Sequence, residues 1–485
     1  MKLNALLESI STLDVSSTDN PDIMGISYDS REVKEGWLFV AVSGHEVDGS
    51  AFITDALSRG AIAVVSENRP DLGSGVVHVQ VPRARRALAE LAAAFYGDAS
   101  KDMTVVGVTG TNGKTTTTFM IRDILRDGGF VPGLLGTVAY EVGERSIPAL
   151  RTTPEALEIH SMFRQMRDAG CNAAVMEVSS HAIALERVHG IDFNIGVFTN
   201  LSRDHLDYHR DMDTYFNVKS QLFHAIEQRD DRKAVINIDD PWGLKLVDDG
   251  KLKAGILTYG FNESADVRAS NASLDSGGTA FDIATPWGEA HVKLRLLGRF
   301  NIHNALAAIA AGGLCGVDLG HMVKALEKIT SVPGRLELVH NRKGRKIFVD
   351  YAHTDDALKN VLTTLREICR DRLIVVFGCG GNRDRGKRVT MGQVASELAD
   401  YSYVTSDNPR DEEPGAIASE IIKGFDHQDQ FEVVLDRREA IEKAVRAMGR
   451  KDVLLIAGKG HETYQEFKGT IVPFDDREMV REIIG

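Results

Sequence analysis

The segment from Val105 to Thr118 holds the residues whose types and spacing point most directly to chemistry. A β-branched run ends in glycines and leads to Lys114 and a run of threonines, with the spacing Gly-x-x-Gly-x-x-Gly-Lys-Thr. Glycines let backbone N–H groups turn toward an anion, and a helix that starts here offers unpaired N–H groups and a positive dipole end. Lys114 can reach the β- and γ-phosphates of ATP, and the Thr115 hydroxyl can hold Mg²⁺. The loop residues expected to bind ATP are Gly110, Thr111, Asn112, Gly113, Lys114, Thr115 and Thr116.

Two further polar groups follow apolar runs and could hold the metal. Glu177 ends the run 173–176, and a carboxylate at the carboxyl end of a buried strand faces the ligand crevice of a doubly wound sheet. His205 lies in the segment 200–209, which is rich in His and Asp. Mg²⁺ prefers oxygen ligands beside substrate phosphates, so Glu177 is a candidate ligand opposite Thr115. A solvated strand-end glutamate and an ordinary polar loop would give the same pattern, and both alternatives stay open.

A third group near the C-terminus suggests an amino-acid site. Arg410, in Asp-Asn-Pro-Arg, and Arg383, in Gly-Gly-Asn-Arg, each carry a guanidinium fork that can grip a carboxylate through two hydrogen bonds. Glu462, in Gly-Lys-Gly-His-Glu, follows the last predicted strand of this region and could receive an ammonium group. Two arginines and one glutamate would suit a zwitterion with one extra anionic group. Taken alone, Asp-Asn-Pro-Arg is also a common kind of polar turn.

These residues fall on a predicted three-domain α/β chain. At about 150 residues per domain, 485 residues suggest three domains. The predicted domains are a small N-terminal α/β domain (1–102), a central domain (103–331) and a C-terminal Rossmann-like α/β domain (332–485). In the central domain, strands at 103–108, 173–178, 195–200 and 234–238 alternate with helices, which predicts a doubly wound, mostly parallel sheet with a hairpin at 279–297. Strands of the third domain are predicted at 346–349, 373–377, 401–405, 432–435 and 453–457.

The composition argues against nucleic-acid binding, secretion and membrane insertion. The formal net charge of −13 disfavours a nucleic-acid-binding surface, because affinity for a phosphate backbone needs clustered Lys and Arg. The N-terminus lacks the basic and apolar regions of a signal peptide, and no apolar run approaches the roughly 18 residues that cross a bilayer. Four cysteines without pairing or metal spacing are typical of a reduced, cytoplasmic protein. A monomer that acts on small molecules is expected.

Three motifs together resemble the Mur ligases, the ATP-dependent amide-forming enzymes of cell-wall peptide assembly. They are Gly-Thr-Asn-Gly-Lys-Thr-Thr, Met-Glu-Val-Ser-Ser-His and Thr-Asn-Leu-Ser-Arg-Asp-His-Leu-Asp-Tyr-His, and the resemblance covers essentially the whole chain. It implies that Thr115, Glu177, His205 and a carbamylated Lys219 bind Mg²⁺, and that Lys114, Lys219 and Arg335 are catalytic. The remaining ATP contacts implied are Asn304 at the adenine, Arg335 at the phosphates and Asp350 at the ribose.

The resemblance also implies two substrate sites. The UDP-linked substrate, UDP-N-acetylmuramoyl-L-Ala-D-Glu, would contact Ser30, His45, Thr152, Thr153, Ser179 and Arg187. Asp-Asn-Pro-Arg marks the family members that add meso-diaminopimelate, which would contact Arg383, Asp407, Asn408, Pro409, Arg410, Gly458 and Glu462. Lysine lacks the distal carboxylate of diaminopimelate and would leave Arg410 unpaired, at a cost on the order of 1–3 kcal/mol. The alternatives are the same ligase acting on L-lysine, a ligase like the folylpolyglutamate synthases, and a nucleotide-regulated binding module.

Overall fold

The strands and helices of the chain follow its hydrophobic pattern closely. The computed structural model describes residues 1–44, 48–70, 72, 75–226, 233–250, 252, 255–275 and 277–484. Residues 1–102 form helices α1 (Leu3–Leu7), α2 (Ile53–Ser58) and α3 (Ala84–Phe95), with strands β1 (Asp14–Val15), β2 (Gly25–Ser27), β3 (Trp37–Val40), β4 (Ala61–Ser66) and β5 (Val77–Gln80).

The segment 103–331 contains the predicted phosphate-binding loop. Its strands are β6 (Thr104–Thr109), β7 (Pro132–Leu135), β8 (Ala139–Val142), β9 (Arg145–Pro148), β10 (Ala173–Glu177), β11 (Ile195–Phe198), β12 (Lys233–Asn237), β13 (Gly255–Gly260), β14 (Val267–Asp275), β15 (Gly278–Thr285) and β16 (Gly288–Leu294). Its helices are α4 (Lys114–Asp127), α5 (Ala156–Asp168), α6 (Ser180–Ala184), α7 (Leu206–His209), α8 (Met212–Ile226), α9 (Pro241–Asp248), α10 (Arg299–Leu314) and α11 (Leu319–Lys328). The four strands and the hairpin predicted here are confirmed.

The segment after residue 331 alternates strands and helices. Its strands are β17 (Glu337–Leu338), β18 (Lys346–Asp350), β19 (Leu373–Phe377), β20 (Tyr401–Val404), β21 (Phe431–Val433), β22 (Val453–Ala457), β23 (Tyr464–Phe467) and β24 (Thr470–Pro473). Its helices are α12 (Asp355–Ile368), α13 (Gly386–Leu398), α14 (Pro414–Ile421), α15 (Arg437–Ala447) and α16 (Asp476–Ile484). All five strands predicted for this segment are present, and β21 begins one residue before and ends two residues before its predicted bounds.

The chain divides into two compact units. Unit 1 comprises Met1–Thr109, Gly129–Gly196 and Val218–Lys233, and unit 2 comprises Gly110–Gly128, Val197–Asn217 and Ala234–Gly485. In unit 1, the N-terminal strands lie in the order β1-β5-β4-β3-β2, with β1 antiparallel to β5 and the other neighbours parallel. The later strands of unit 1 lie in the order β6-β10-β7-β8-β9, parallel from β6 to β7 and antiparallel from β7 to β9.

Unit 2 holds the other strands of the central segment and the C-terminal sheet. The first group lies in the order β12-β13-β14-β15-β16 and ends in antiparallel strands. The C-terminal sheet has the order β17-β18-β22-β19-β20-β21 and is parallel apart from the short β17. Asp350 pairs with Ala457 at the carboxyl ends of β18 and β22, so the loops that follow these strands meet at one edge of the sheet.

The C-terminal sheet is buried on both faces. Along β19, Leu373, Val375 and Phe377 contribute to one apolar cluster, and the alternate residues Ile374 and Val376 contribute to the other. Side chains of a strand alternate between faces, so helices must cover both sides of this sheet. This arrangement confirms the α/β class predicted from the sequence. Within the described ranges, no helix combines the length and the apolar character needed to cross a membrane.

Candidate active site

The predicted phosphate-binding loop of unit 2 precedes α4, and its geometry suits an anion. Gly113 adopts a φ of +87° immediately before the helix, and a Cβ there would lie 2.4 Å from Asn304 Oδ1, so the position requires glycine. Lys114 Nζ donates to the carbonyl oxygens of Gly110 at 2.9 Å and of Thr111 at 2.8 Å. The ammonium group is thus folded back over the loop, beside the N-terminus of α4, where phosphates bind.

A polar shell within unit 2 fixes the backbone of this loop. Asn200 Oδ1 accepts from the Asn112 backbone N–H at 2.9 Å, and the Thr199 hydroxyl donates to the Asn112 carbonyl at 2.6 Å. The Asn112 side chain donates to Asp356 Oδ2 at 2.8 Å, in the first turn of α12. Asn304 is buried beside the loop and accepts from the Thr117 hydroxyl at 3.3 Å. Its implied role at the adenine stays a prediction.

Arg335 lies at the same loop, although it is distant in sequence. Its Nη2 donates to Thr115 Oγ1 at 2.7 Å, and its guanidinium stacks over the Tyr351 ring at 4.7 Å. Arg335 Nε is buried without a hydrogen-bond partner among the described residues. Asp350 accepts from the backbone N–H groups of Leu336 and Ala352, and burial raises the pKa of its carboxyl. This loop therefore combines a helix N-terminus, the Lys114 ammonium and the Arg335 guanidinium with its unused Nε donor. Such a set of donors suits the phosphates of a nucleoside triphosphate.

His205 of unit 2 follows a buried acidic residue. His205 Nε2 lies 3.3 Å from Asp204 Oδ2, and Arg203 lies 3.5 Å from Asp384 of the loop before α13. Burial would raise the pKa of the Asp204 carboxyl, but electrostatic interactions with His205, His353 and Lys387 and a hydrogen bond from the His205 backbone N–H lower it. His205 therefore follows a buried carboxyl group, and its role as a metal ligand stays a prediction.

Glu177 of unit 1 is a buried carboxylate with fixed orientation. It is 1% exposed, and its two oxygens accept from the Thr137 backbone N–H at 2.7 Å and from the Thr137 hydroxyl at 2.9 Å. The Thr153 hydroxyl donates to the Glu177 carbonyl at 2.8 Å and accepts from the Ser179 N–H at 3.1 Å. Thr152 Oγ1 lies 3.1 Å from the Thr137 hydroxyl. Three residues implied by the resemblance, Thr152, Thr153 and Ser179, thus lie beside Glu177.

Arg187 joins this group in unit 1. Its Nη1 donates to the Thr153 carbonyl at 3.2 Å, its Nη2 lies 2.7 Å from Glu155, and burial lowers the pKa of its guanidinium. Ser30 is buried at the start of a short 3₁₀ turn, 30–32, in the N-terminal segment. His45 lies outside the described residues.

Lys219 occupies α8 in unit 1 and is only 1% exposed. A fully buried lysine is rare unless it is paired, so this position differs from the surface lysine that a helix usually carries. In the part of the chain that the structure describes, no three His, Cys, Asp or Glu side chains cluster as a metal site. The implied set also uses a threonine and a modified lysine, and the oxygens of Thr115, Glu177 and a carbamate suit Mg²⁺. The metal site stays a prediction.

The predicted amino-acid residues converge at the carboxyl edge of the C-terminal sheet. Asn408 Nδ2 donates to Glu462 Oε2 at 3.0 Å, which joins the loop after β20 to the loop after β22. Gly458 has a φ of +112°, and a Cβ there would lie 2.4 Å from Asp407 Oδ2, so the two loops touch through a glycine. Arg410 Nη1 donates to the Gly381 carbonyl at 2.9 Å.

Arg410 is already paired with an acid. Its Nε lies 3.1 Å from Glu466 Oε2, and its side chain is 22% exposed. Arg383 is exposed and donates to the Asn382 carbonyl at 3.2 Å, so it lies at the rim. Pro409 leads directly into Arg410. The roles of Arg410, Arg383 and Glu462 in binding an amino acid stay a prediction.

Two buried cations, Lys459 and Arg437, support this site, and no sequence pattern predicted them. Lys459 is fully buried beneath Asn408 and Glu462. Arg437 is also fully buried, is paired with Asp476 at 2.8 Å, and donates to the carbonyls of Ser406 and Ala457, which directly precede the two site loops. Charged residues at helix starts or in glycine-rich loops usually indicate exposed positions, so their burial emerges only from the tertiary structure.

Comparison with known proteins places this geometry in a family. Models of the Mur ligase family match residues 22–96 (Mur ligase family, catalytic domain), 108–312 (Mur ligase middle domain) and 334–460 (Mur ligase, glutamate ligase domain). Proteins named UDP-N-acetylmuramoyl-L-alanyl-D-glutamate–2,6-diaminopimelate ligase are similar over nearly their full length. The protein from Syntrophomonas wolfei is 44% identical, covering 99% of each chain, and the protein from Geobacter metallireducens is 45% identical, covering 99% of this chain and 98% of its own.

A solved structure of a ligase with the same name is also similar. It is 34% identical with a TM-score of 0.67, and the match covers 95% of this chain and 94% of the other. Family models, full-length relatives and fold thus agree, and the chain belongs to the Mur ligase family.

Proposed function

We propose that the chain is an ATP-dependent amide ligase that joins meso-diaminopimelate to the D-Glu residue of UDP-N-acetylmuramoyl-L-Ala-D-Glu, a step of peptidoglycan precursor synthesis. The observation that carries this proposal is the 44–45% identity to ligases of that name over at least 98% of their length. The predicted amino-acid site also supports the proposal, because Arg410, Arg383 and Glu462 all lie in loops at the carboxyl edge of the C-terminal sheet.

The chemistry is a phosphoryl transfer followed by an acyl transfer. ATP supplies the γ-phosphoryl group, which is transferred to the γ-carboxylate of D-Glu to give an acyl phosphate and ADP. The amine nitrogen of diaminopimelate then attacks the acyl carbon, phosphate leaves with the bonding electron pair, and the amine proton is lost to solvent or to a base. The net products are the amide, ADP and phosphate.

Residues of the phosphate-binding loop would bind and orient the triphosphate. Lys114 lies over the loop carbonyls, where its ammonium can turn to the β- and γ-phosphates. Arg335 is fixed by Thr115 and by the Tyr351 ring, and its buried Nε can donate to a transferring phosphoryl oxygen. Such groups act mostly by placement and by stabilising charge.

Mg²⁺ would be held by the ligands that the family resemblance implies. Thr115, Glu177 and His205 would contact it, together with Lys219 as a carbamate. Carbamylation turns a buried cation into a carboxylate, so it converts a group that repels Mg²⁺ into a ligand. The buried, doubly hydrogen-bonded carboxylate of Glu177 supports this assignment.

The UDP-linked substrate would bind at the residues that surround Glu177 in unit 1 and at the N-terminal segment. Thr152, Thr153, Ser179 and Arg187 lie in one hydrogen-bonded group, and Ser30 and His45 complete the set that the family resemblance implies. We further propose that the protein is a cytoplasmic monomer. Its four free cysteines support the cytoplasmic location, because free thiols are typical of a reducing compartment.

Two rival functions have specific weaknesses. A ligase like the folylpolyglutamate synthases has no need of Asp-Asn-Pro-Arg or of the first-domain turns. A nucleotide-regulated binding module would need the phosphate loop but not Arg383, Arg410 and Glu462 at one edge. The same ligase with L-lysine remains the alternative to be tested directly.

One experiment separates these functions. The protein is incubated with ATP, Mg²⁺, UDP-N-acetylmuramoyl-L-Ala-D-Glu and either meso-diaminopimelate or L-lysine, and phosphate release and product mass are measured. We expect product with meso-diaminopimelate. Product with lysine alone would overturn the substrate assignment, and no phosphate release with either amino acid would favour the binding module.

A further inference from the structure

A buried lysine lies beneath the proposed amino-acid site and has no role in the chemistry described above. Lys459 follows Gly458 at the end of β22 and is 0% exposed. Its Nζ donates to Asn408 Oδ1 at 3.1 Å and to Glu462 Oε2 at 3.0 Å, and it lies 5.3 Å from the centre of the Tyr464 ring. A buried ammonium is costly without such partners, so its contacts indicate a specific task.

The first consequence concerns the orientation of the Asn408 amide. Oδ1 of Asn408 accepts both from Lys459 and from the Glu466 backbone N–H at 3.0 Å. Both partners are donors only, so the oxygen must face them and Nδ2 must face the other way. That leaves Nδ2 aimed at Glu462 Oε2, which it contacts at 3.0 Å.

The second consequence concerns the Glu462 carboxylate. Its Oε2 accepts from both Lys459 and Asn408, so the carboxylate plane is fixed. Among the described residues, no group donates a hydrogen bond to Oε1, which is the oxygen available to an incoming ammonium group. Two structural donors therefore hold one oxygen and leave the other for the substrate.

We propose that Lys459 is a positioning residue that orients Asn408 and Glu462 so that the carboxylate of Glu462 can bind the ammonium group of the amino-acid substrate. The inference rests on the proposed function, since it assigns the specificity of the same site. Lys459 itself contacts neither substrate nor ATP in this scheme.

The charges around Glu462 set the pKa of its carboxyl group, so the role of Lys459 can be tested through the pH dependence of amino-acid binding. Burial raises the pKa of Glu462, the cation Lys459 opposes that rise, and Asp407 adds to it. The titratable and charged groups that face Glu462 are Lys459, Asp407, Arg437, Tyr351 and Tyr464. Without Lys459, the Glu462 pKa rises further, so the carboxylate is protonated at higher pH and loses its affinity for an ammonium.

The test compares Lys459→Met and Lys459→Arg with the wild type and with Lys443→Met, a surface control on α15 whose lysine pairs with Glu432. We expect Lys459→Met to raise the KM for meso-diaminopimelate by about ten- to a hundredfold, the effect of losing hydrogen bonds to a charged group, with the KM values for ATP and the UDP-linked substrate unchanged. The acid limb of kcat/KM for the amino acid should move to higher pH in Lys459→Met. Lys459→Arg, which keeps the charge, should leave that limb near the wild-type position.

An unchanged KM for the amino acid, or an acid limb that does not move in Lys459→Met, would overturn the proposal. If Lys459→Met yields no folded protein, Lys459→Gln, which removes the charge but keeps a polar side chain, carries the test, and an acid limb at the wild-type pH in that variant would equally overturn the proposal. A purely structural role would lower the apparent kcat through loss of folded enzyme and would leave the KM values for all three substrates unchanged. The wild-type enzyme distinguishes failure of the proposed function from failure of the Lys459 proposal. If the wild type forms no product, the proposed function is refuted, whereas a wild type that forms product with an unaltered Lys459→Met variant refutes only the role of Lys459.

Discussion

Replacement of Arg410 by lysine tests whether a guanidinium fork recognises the distal carboxylate of diaminopimelate. Arg410 uses Nη1 on the Gly381 carbonyl at 2.9 Å, and its Nε lies 3.1 Å from Glu466. A planar guanidinium has five donors, so it can keep both contacts and still offer an edge to a carboxylate. A lysine has one nitrogen and cannot satisfy Gly381, Glu466 and the substrate together.

The size of the effect follows from the bonds lost. Hydrogen bonds to charged groups contribute about 1.5–3 kcal/mol, which corresponds to about ten- to 150-fold in kcat/KM for meso-diaminopimelate. Because the distal carboxylate does not react, the loss should appear in KM with kcat nearly unchanged. The assay is phosphate release at saturating ATP and UDP-linked substrate, with the amino acid varied.

The matched control is Arg438→Lys, which changes an exposed arginine paired with Glu482 at 3.0 Å. It should leave the KM for meso-diaminopimelate unchanged. A wild-type KM in Arg410→Lys would remove Arg410 from the substrate site. A fall in kcat with constant KM would mean that Arg410 acts on the reacting groups, which the geometry does not support.

Three further predictions follow from the same structure. Lys114→Met should reduce ATP-dependent product by at least about a hundredfold in a folded protein, measured as ADP release; near-normal turnover would contradict its role. Asp476→Ala leaves the fully buried Arg437 without its partner and should lower the free energy of unfolding by about 3–5 kcal/mol in urea titrations; a loss below about 1 kcal/mol would be contrary evidence. Hydrogen bonds from Arg388 lower the pKa of Glu412 to about 2, so the stability that Glu412 adds is complete above its unfolded pKa near 4.5 and is lost as the pH falls toward 2. The stability gap between wild type and Glu412→Gln should therefore shrink across that range, and a gap that stays constant would refute the link.

Much of the fold could be predicted because a few physical demands leave a clear trace in the sequence. The strand Leu373–Phe377 is a continuous apolar run, since both of its faces are covered, and it lies at its predicted position. The phosphate-binding loop could be recognised because Gly113 occupies a backbone conformation that other residues rarely adopt. Local constraints of this kind need no knowledge of the tertiary structure.

The burial of several charged residues could not be predicted from local sequence, since it depends on distant parts of the chain. Lys219 and Lys459 are 1% and 0% exposed, but a lysine on a helix or in a glycine-rich loop is usually solvated. The pairing of Arg437 with Asp476 joins residues 39 positions apart. The structure also brings Arg335 to Thr115, a contact for which neither sequence segment holds any local signal.

The contact between Arg410 and Glu466 changes the argument about specificity that the sequence suggested. A lysine substrate lacks the distal carboxylate, and the sequence alone predicts that Arg410 would then be left unpaired. In the structure, Glu466 Oε2 lies 3.1 Å from Arg410 Nε, so the guanidinium has a charged partner within the protein itself. Discrimination against lysine must come from the hydrogen bonds that lysine cannot make to Arg410, which contribute about 1.5–3 kcal/mol with no added penalty for an unpaired charge. A larger preference for diaminopimelate therefore requires Arg383, the second guanidinium at this edge, to bind the same carboxylate.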